Sequence, residues 1–154
     1  LLKQVYHVEE VVVSDLAQFR RKQAVLAQAD RTAADMSQAG VGFDCAVDAV
    51  GREEGLAGAL GAVRPGGAVF ISAIYEHLPV VDINTMVSNE QSLRGNNAYS
   101  FTDLQEAARL IGGGEVQLGW LVTSVLPADQ ADEAFRRLTA REKRDLKILL
   151  DFQG

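Results

Sequence analysis

The chain has 154 residues, of which 47% are hydrophobic and 23% charged, so it is long enough to bury the core of one domain. Its formal net charge of −6 argues against a nucleic-acid-binding surface, and no apolar run approaches the ~20 residues of a membrane-spanning helix. Cys45 is the only cysteine, which excludes an internal disulfide and a multi-cysteine metal site. Because the N-terminus shows no signal-peptide pattern, the sequence predicts a cytoplasmic protein.

The N-terminal part predicts the end of a helix followed by a strand. Residues 1–6 fit the last turns of a helix, and the chain starts there without an initiator Met, so we expect it to be a piece of a longer polypeptide. His7 is expected at the surface, because nothing nearby completes a metal site. Residues 11–15 are an apolar run that predicts a strand ending in a carboxylate.

Asp15, which closes this strand, has two interpretations. It fits the N-cap of the following helix, predicted over residues 16–28, because aspartate accepts from the free N–H groups there. It also fits the acidic residue that ends the second strand of a dinucleotide-binding fold. In that position it binds the two ribose hydroxyls of NAD and repels the 2′-phosphate of NADP. The residues expected on the inner face of the helix are Leu16, Phe19 and Leu26.

Residues 43–50 are a short run rich in Val and Ala, which fits a strand buried on both faces, as in parallel sheets. Cys45 is therefore predicted to be a buried and inert thiol. Asp44 and Asp48 share one face of this strand but lie near its opposite ends. We therefore do not interpret them as an acid/base pair.

A helix is predicted to begin at Glu53, since carboxylates suit the positive N-terminal end of the helix dipole. Residues 65–67, Pro-Gly-Gly, are expected to end it, and residues 68–74 form the next strand. The inner stripe of the helix is predicted to be Leu56, Ala59, Leu60 and Val63. In open α/β sheets ligands bind outside the carboxyl ends of the strands, so a crevice is expected near residues 49–51 and 72–74.

The rest of the chain continues to alternate strands and helices, which predicts an α/β fold. The predicted strands lie at residues 32–36, 92–95, 120–126 and 146–152. Three helices are also predicted. The first spans residues 84–89 and is capped by Asn84. The second begins with a capping box at Thr102 and Gln105 and stops at residues 112–114, and the third begins at residue 127. The last helix is expected to bury Ala131, Ala134, Phe135 and Leu138, and residues 141–145 are expected to be a solvated charged connection.

Five stretches together resemble the C-terminal half of a zinc-type medium-chain dehydrogenase. They are GFDCAVDAVG at 42–51, VRPGGAVFISAIYE at 63–76, SLRGNNAYSFTDLQEAARLIGGGEV at 92–116, LVTSVLPADQADEAFRRL at 121–138 and KILLDF at 147–152. The stretches AIYE and NNAYSFTDL are most similar to the butanediol and polyol (sorbitol-like) dehydrogenase branch. The resemblance implies a partial Rossmann-type parallel sheet flanked by helices. This sheet would lack its first strand and Gly-rich turn, and a C-terminal strand-helix-strand would belong to the catalytic domain.

The resemblance also implies a nicotinamide cofactor, NAD rather than NADP, and assigns residues to it. Asp15 matches the ribose-binding acid, Arg20 a basic residue near the adenosine ribose, and Lys147 a basic position that reaches the phosphates. The matches beside the adenine are Ala49, Val50 and Arg52. The matches beside the nicotinamide are Ser72, Ala73, Ile74, Asn96, Asn97 and Ala98. From the residues alone, Arg20 and Arg52 fit a helix surface, and Lys147 fits a solvated strand position.

In this family the Gly-rich turn that holds the pyrophosphate belongs upstream of Leu1, as do the zinc ligands and the proton-relay residue. The resemblance therefore implies that residues 1–115 are a partial NAD(P)-binding Rossmann domain and residues 116–154 the C-terminal part of the catalytic domain. We expect zinc only in the missing N-terminal half, with no catalytic residue and no metal ligand in this chain.

The predicted function is the cofactor-binding portion of an NAD(H)-dependent zinc-type alcohol or polyol dehydrogenase. The parent would transfer hydride between a secondary alcohol or vicinal diol and nicotinamide, and the isolated chain would be inactive. The alternative is a non-enzymatic α/β nucleotide-binding or dimerisation module. Expected partners are a small alcohol or diol substrate and a second copy joined through the sheet edge near residues 71–93, with no nucleic acid and no membrane.

Overall fold

The computed structural model describes residues 1–140, 142 and 144–153. In chain order the elements are β1 (Val12–Ser14), α1 (Gln18–Leu26), β2 (Arg31–Ala33), β3 (Phe43–Asp48), α2 (Glu53–Ala62), β4 (Val63–Ile71), α3 (Ile83–Ser88), β5 (Ser92–Gly95), α4 (Phe101–Gly112), β6 (Val122–Pro127), α5 (Ala131–Thr139) and β7 (Lys147–Asp151). Short 3-10 turns lie at Met36–Gln38, Gly119–Leu121 and Ala128–Gln130.

The chain divides into two compact units. The first unit comprises Leu1–Ala34 and the described residues from Phe101 onward, and the second comprises Asp35–Ser100. The first unit contains two parallel strand pairs, β1-β2 and β6-β7, and the second a parallel sheet in the order β3-β4-β5. Parallel strands flanked by helices confirm the predicted α/β fold class, whereas the division between residues 115 and 116 stays a prediction.

Helix α2 packs its apolar stripe on one face of the sheet in the second unit. Leu56 and Ala59 of α2 form a buried cluster with Val63 and Val69 of β4, and Leu60 packs against it. This confirms Leu56, Ala59 and Leu60 as the inner stripe of the helix, whereas Val63, predicted to continue the stripe, is buried as the first residue of β4. Burial on this scale contributes about 1.5–3 kcal/mol for each large aliphatic side chain, so this cluster anchors the strands whose ends form the site described below.

Strand β3 is covered on one face, and the prediction that both its faces are buried is wrong. Asp48 is buried and Ala46 packs against the α2 cluster. Cys45 and Val47 alternate with them along the strand and are exposed on the opposite face. The expectation of a buried Cys45 thiol fails for the same reason.

Strand β4 begins at Val63, five residues earlier than the predicted start at residue 68. The helix ends at Ala62, and Val63 already has extended backbone angles and pairs in register with Phe43 of β3. Pro65 and the two glycines after it therefore lie within β4, beside an irregularity in its pairing with β3. The pairing of Val63 with β3 ends the helix before Pro65 is reached.

Several helix faces and ends also differ from expectation. The side chains of Leu16, Leu26 and Phe135 are largely exposed instead of facing inward. Helix α3 is capped by Asp82, whose Oδ1 accepts from the Thr85 amide at 3.1 Å, and not by Asn84. Thr102 lies inside α4, which begins at Phe101, and residues 1–6 form a hydrogen-bonded turn instead of a helix end.

The C-terminal strand-helix-strand, β6-α5-β7, is present with its two strands parallel. Trp120 lies in the 3-10 turn that precedes β6, so the strand begins later than predicted. Arg141 and Lys143, part of the connection predicted to be solvated, lie outside the described residues. Asp145 of that connection is buried, because Arg137 and two hydroxyl groups bind its carboxylate.

Candidate functional site

Asp15 lies directly after β1 in the first unit, where its amide donates to the Ala33 carbonyl at 3.2 Å and continues the pairing with β2. Its Oδ1 accepts from the Ala17 amide at 2.7 Å, and its Oδ2 lies 3.3 Å from Nη1 of Arg20. Ala17 occupies the N-cap position of α1, so the expectation that Asp15 caps this helix is wrong. The carboxylate nevertheless binds the backbone just before the helix and remains about a quarter exposed.

A second arginine stabilises the same turn. Nη1 of Arg21 donates to the backbone carbonyl groups of Asp15 at 2.6 Å and Leu16 at 2.9 Å. Two arginine side chains therefore bind the turn that presents the Asp15 carboxylate. The structure brings together Asp15 and Arg20, both predicted to lie near an adenosine ribose. Lys147, also in this unit, is exposed at the start of β7, where its carbonyl oxygen accepts from the Thr123 hydroxyl at 3.1 Å.

In the second unit the carboxyl ends of three parallel strands lie at one edge of the sheet. Asp48, Ile71 and Gly95 are the last residues of β3, β4 and β5. The Ser72 amide donates to the Asp48 carbonyl at 2.9 Å, and the Asn96 amide to the Ile71 carbonyl at 2.8 Å. The strand ends therefore carry the remaining predicted site residues at the same edge. These residues are Ala49, Val50, Arg52, Ser72, Ala73, Ile74, Asn96 and Asn97.

The first two of these strand-end segments touch each other at Gly51. This glycine has a φ of +76°, and a Cβ there would lie 2.8 Å from the Ile74 carbonyl oxygen and 3.1 Å from the Ala73 Cβ. Only a residue without a side chain allows this approach in this backbone conformation. We call the segments 49–52 and 72–75 the first and second strand-end loops.

The centre of this arrangement is Asp48, which sequence reasoning did not select. Its carboxylate is buried, and Oδ1 accepts from the amides of Val50 at 2.9 Å and Gly51 at 3.3 Å. Oδ2 accepts from the hydroxyl of Tyr75 in the second loop. Burial, together with the hydrogen bond and the negative charge of Asp48, raises the pKa of Tyr75 to about 12.

Asp44 lies at the other end of β3, as expected, and pairs on the surface with Arg64 at 2.7 Å. One signal in the sequence could have pointed to Asp48, because aspartate side chains commonly accept from the backbone N–H two residues further on. The spacing of Asp48, Val50 and Gly51 fits that rule. The contribution of Tyr75, 27 residues away, has no such local signal.

The outer surface of these loops is open. Ile74 is 91% exposed and Val50 64% exposed, although both are apolar. Ser72, Arg52 and the two asparagines after β5 are also exposed. Exposed aliphatic side chains beside polar groups at the carboxyl edge of a parallel sheet are suited to contact with a ligand that has flat rings and polar substituents.

The described residues do not provide a metal site. Within residues 1–140, 142 and 144–153 no group of three or more His, Cys, Asp or Glu side chains could hold a metal ion. No helix in the described part of the chain is long and apolar enough to cross a membrane.

Parallel α/β units with a ligand-accessible strand-end edge define a nucleotide-binding type of fold. The sequence model of the zinc-binding dehydrogenases matches residues 22–144, and this chain belongs to that family. A relative in Mycobacterium tuberculosis, the probable zinc-binding alcohol dehydrogenase Rv1895, is 30% identical over 112 residues, which are 72% of this chain and 29% of that protein. The chain thus spans less than a third of that relative.

Two solved structures share the fold. A short chain alcohol dehydrogenase (rspB) from E. coli CFT073, complexed with NADH, has a TM-score of 0.85 at 20% identity, over 98% of this chain and 47% of that one. A putative zinc-binding dehydrogenase from Sinorhizobium meliloti 1021, bound to NADP, has a TM-score of 0.82 at 18% identity, over 96% of this chain and 47% of that one. These similarities confirm the Rossmann-like fold class, while placement in the butanediol and polyol branch stays a prediction.

Proposed function

We propose that this chain is the cofactor-binding portion of an NAD(H)-dependent zinc-type alcohol or polyol dehydrogenase. The observation that carries the proposal is the carboxylate of Asp15 at the carboxyl end of a parallel strand, paired with Arg20 at 3.3 Å. An acid in this position accepts hydrogen bonds from the ribose hydroxyls of NAD and repels the 2′-phosphate of NADP. Membership of the zinc-binding dehydrogenase family supports the reaction class.

In this proposal the other predicted residues each contact one part of the cofactor. Ala49, Val50 and Arg52 lie beside the adenine, and Lys147 reaches the phosphates. Ser72, Ala73, Ile74, Asn96 and Asn97 border the nicotinamide. When bound, the nicotinamide supplies a hydride acceptor or donor, and the residues of this chain hold and orient it. Exposure of Val50 and Ile74 supports this role, because both present apolar surface for a ring to cover.

The whole enzyme would exchange hydride with a secondary alcohol or a vicinal diol. In it, residues 1–115 would form part of the Rossmann domain and residues 116–154 part of the catalytic domain, with zinc held elsewhere. The 154-residue chain by itself should therefore show no turnover with NAD, zinc and a vicinal diol. Turnover by the isolated chain would contradict this assignment of roles.

The direct test is a fluorescence titration of the chain with NADH and with NADPH. We expect NADH to bind more tightly, and Asp15→Ala to weaken NADH binding by about tenfold or more, because a charged hydrogen-bond acceptor is lost. The matched control is Asp132→Ala, an exposed aspartate on α5 of the same unit, which should leave binding unchanged. Tighter binding of NADPH than of NADH would contradict the proposed cofactor.

A second candidate function is a dimerisation module, and one observation favours it. Apolar side chains are exposed along the segment that follows β4, with Leu78 96% exposed. The others are Ile74, Val80, Ile83 and Val87. A second copy meeting the sheet edge near residues 71–93 would cover them. Light scattering together with the NADH titration distinguishes the cofactor-binding function from the dimerisation module. A dimer without nucleotide binding supports the dimerisation module, and a nucleotide-binding monomer contradicts it.

A further inference from the structure

We propose that Asp48 and Tyr75 are a positioning pair, which sets the spacing of the two strand-end loops and through it the affinity for the nicotinamide cofactor. The inference rests on the proposed function, because it concerns the loops that would contact that cofactor. Neither residue is proposed to touch the reacting atoms. Both act through Val50, Ser72 and Ile74.

Asp48 fixes the first loop. Its Oδ1 binds the amides of Val50 at 2.9 Å and Gly51 at 3.3 Å, so the chain turns sharply as it leaves β3. Its carbonyl oxygen also accepts from the amide of Ser72 at 2.9 Å and the hydroxyl of Ser72 at 3.3 Å. One buried residue thus contacts the backbone of both loops.

Tyr75 completes the link from the second loop. Its ring packs against the buried cluster under α2, and its hydroxyl donates to Oδ2 of Asp48. The ring has few accessible rotamers when it is packed in this way, so the hydroxyl is held in place. The loop that carries Ser72, Ala73 and Ile74 is therefore attached to the core and to β3 at once.

The contact at Gly51 makes the spacing of the loops sensitive to this pair. The Gly51 Cα approaches the Ile74 carbonyl so closely that no Cβ fits between them. Without the Tyr75 hydroxyl, the buried Asp48 carboxylate loses one of its hydrogen-bond donors and draws in water instead. The second loop keeps the hydrogen bonds from Ser72 to the Asp48 carbonyl but loses the one from Tyr75, so the separation of Val50 and Ile74 is held less tightly.

The test compares Tyr75→Phe with Tyr6→Phe, the same change at an exposed tyrosine of the first unit. Three quantities are measured on the 154-residue chain. They are the dissociation constant of NADH, the hydrogen-exchange rates of the Val50, Gly51 and Ser72 amides, and the free energy of unfolding. We expect Tyr75→Phe to weaken NADH binding by about tenfold and to speed exchange of these amides by about tenfold or more. Tyr6→Phe should change neither.

Asp48→Asn is the second variant, because it keeps the size of the side chain and removes its charge. It should change binding and exchange in the same direction as Tyr75→Phe. Lower stability with unchanged NADH affinity and unchanged exchange would overturn the proposal and leave a purely structural role. If the unmodified chain binds neither NADH nor NADPH, the proposed function fails. The amide hydrogen-exchange rates alone then decide whether Asp48 and Tyr75 position the loops.

Discussion

The guanidinium of Arg137 and the carboxylate of Asp145 form an ion pair that joins α5 to the residues just before β7. Nη2 of Arg137 lies 2.8 Å from Oδ2 of Asp145, whose side chain is only 2% exposed. Oδ1 of Asp145 also accepts from the hydroxyls of Ser124 at 2.6 Å and Thr123 at 3.0 Å on β6. The pair therefore links the helix to both strands of the C-terminal motif.

Removing the arginine should destabilise this motif. In Arg137→Ala the buried Asp145 carboxylate keeps two hydroxyl donors but loses its counter-charge, and we expect the free energy of unfolding to fall by about 1–3 kcal/mol. The control is Arg136→Ala on the same helix, whose exposed pair with Glu133 at 2.9 Å should contribute less than about 1 kcal/mol. Equal losses in the two variants, measured by urea unfolding, would contradict the account.

Asp145 should also make stability depend on acid pH. Burial by itself raises the pKa of Asp145, but the hydrogen bonds from Ser124, Thr123 and Arg137 outweigh it and hold the pKa below its ordinary value. A carboxyl with a lowered pKa in the folded state stabilises the fold above its ordinary pKa, and this contribution is lost as the pH falls through the lowered value.

We therefore expect the free energy of unfolding to decrease as the pH is lowered below about 4. The decrease should be less steep in Asp145→Asn. At neutral pH that variant should be less stable than the unmodified chain. Parallel pH profiles for the two proteins, measured from pH 7 downward by urea unfolding, would show that Asp145 does not contribute in this way.

Gly51 provides a test of the contact between the strand-end loops. Gly51→Ala places a Cβ 2.8 Å from a backbone carbonyl at a φ of +76°, so we expect a loss of about 1–3 kcal/mol in the free energy of unfolding. Gly61→Ala is the matched control, because within the described part of the chain nothing lies within 4 Å of a Cβ built there. In the helix α2 this change should be neutral or stabilise by up to about 1 kcal/mol.

The exposed thiol on β3 gives a simple check of how the sheet is covered. Cys45 is exposed, so a thiol reagent should modify it completely in the native chain without denaturant. Because Cys45 is the only cysteine, the Cys45→Ser variant should not react with the thiol reagent and serves as the negative control. Protection of the thiol until the chain is unfolded would mean that another surface covers this face in solution.

Features set by local spacing could be predicted from the sequence. The apolar stripe of α2 at Leu56 and Ala59 follows from helical periodicity, and the structure buries both residues as expected. The strand at Ser92–Gly95 was predicted with its observed bounds. The strand ends at Asp48 and Ile71 also fall at one edge, as a parallel sheet requires, although β3 ends two residues and β4 three residues before the predicted position.

Features set by packing across the chain could not be predicted in the same way. Cys45 and Phe135 have apolar patterns typical of buried positions, but burial depends on what packs against that face, which periodicity does not reveal. Asp145 was expected in solvent because its sequence neighbours are charged. Its burial depends on Arg137 and on hydroxyls that only the fold brings to it.

The central proposal is that residues of each unit bind a nicotinamide nucleotide, namely the Asp15 turn in the first unit and the segments after β3, β4 and β5 in the second. The most direct measurement is a titration of the isotope-labelled chain with NADH, followed by the chemical shifts of its backbone amides. We expect saturable shifts at Leu16 in the first unit and at Gly51, Ser72 and Asn96 in the second. Saturable shifts confined to other parts of the chain, or none at these four amides, would contradict the account.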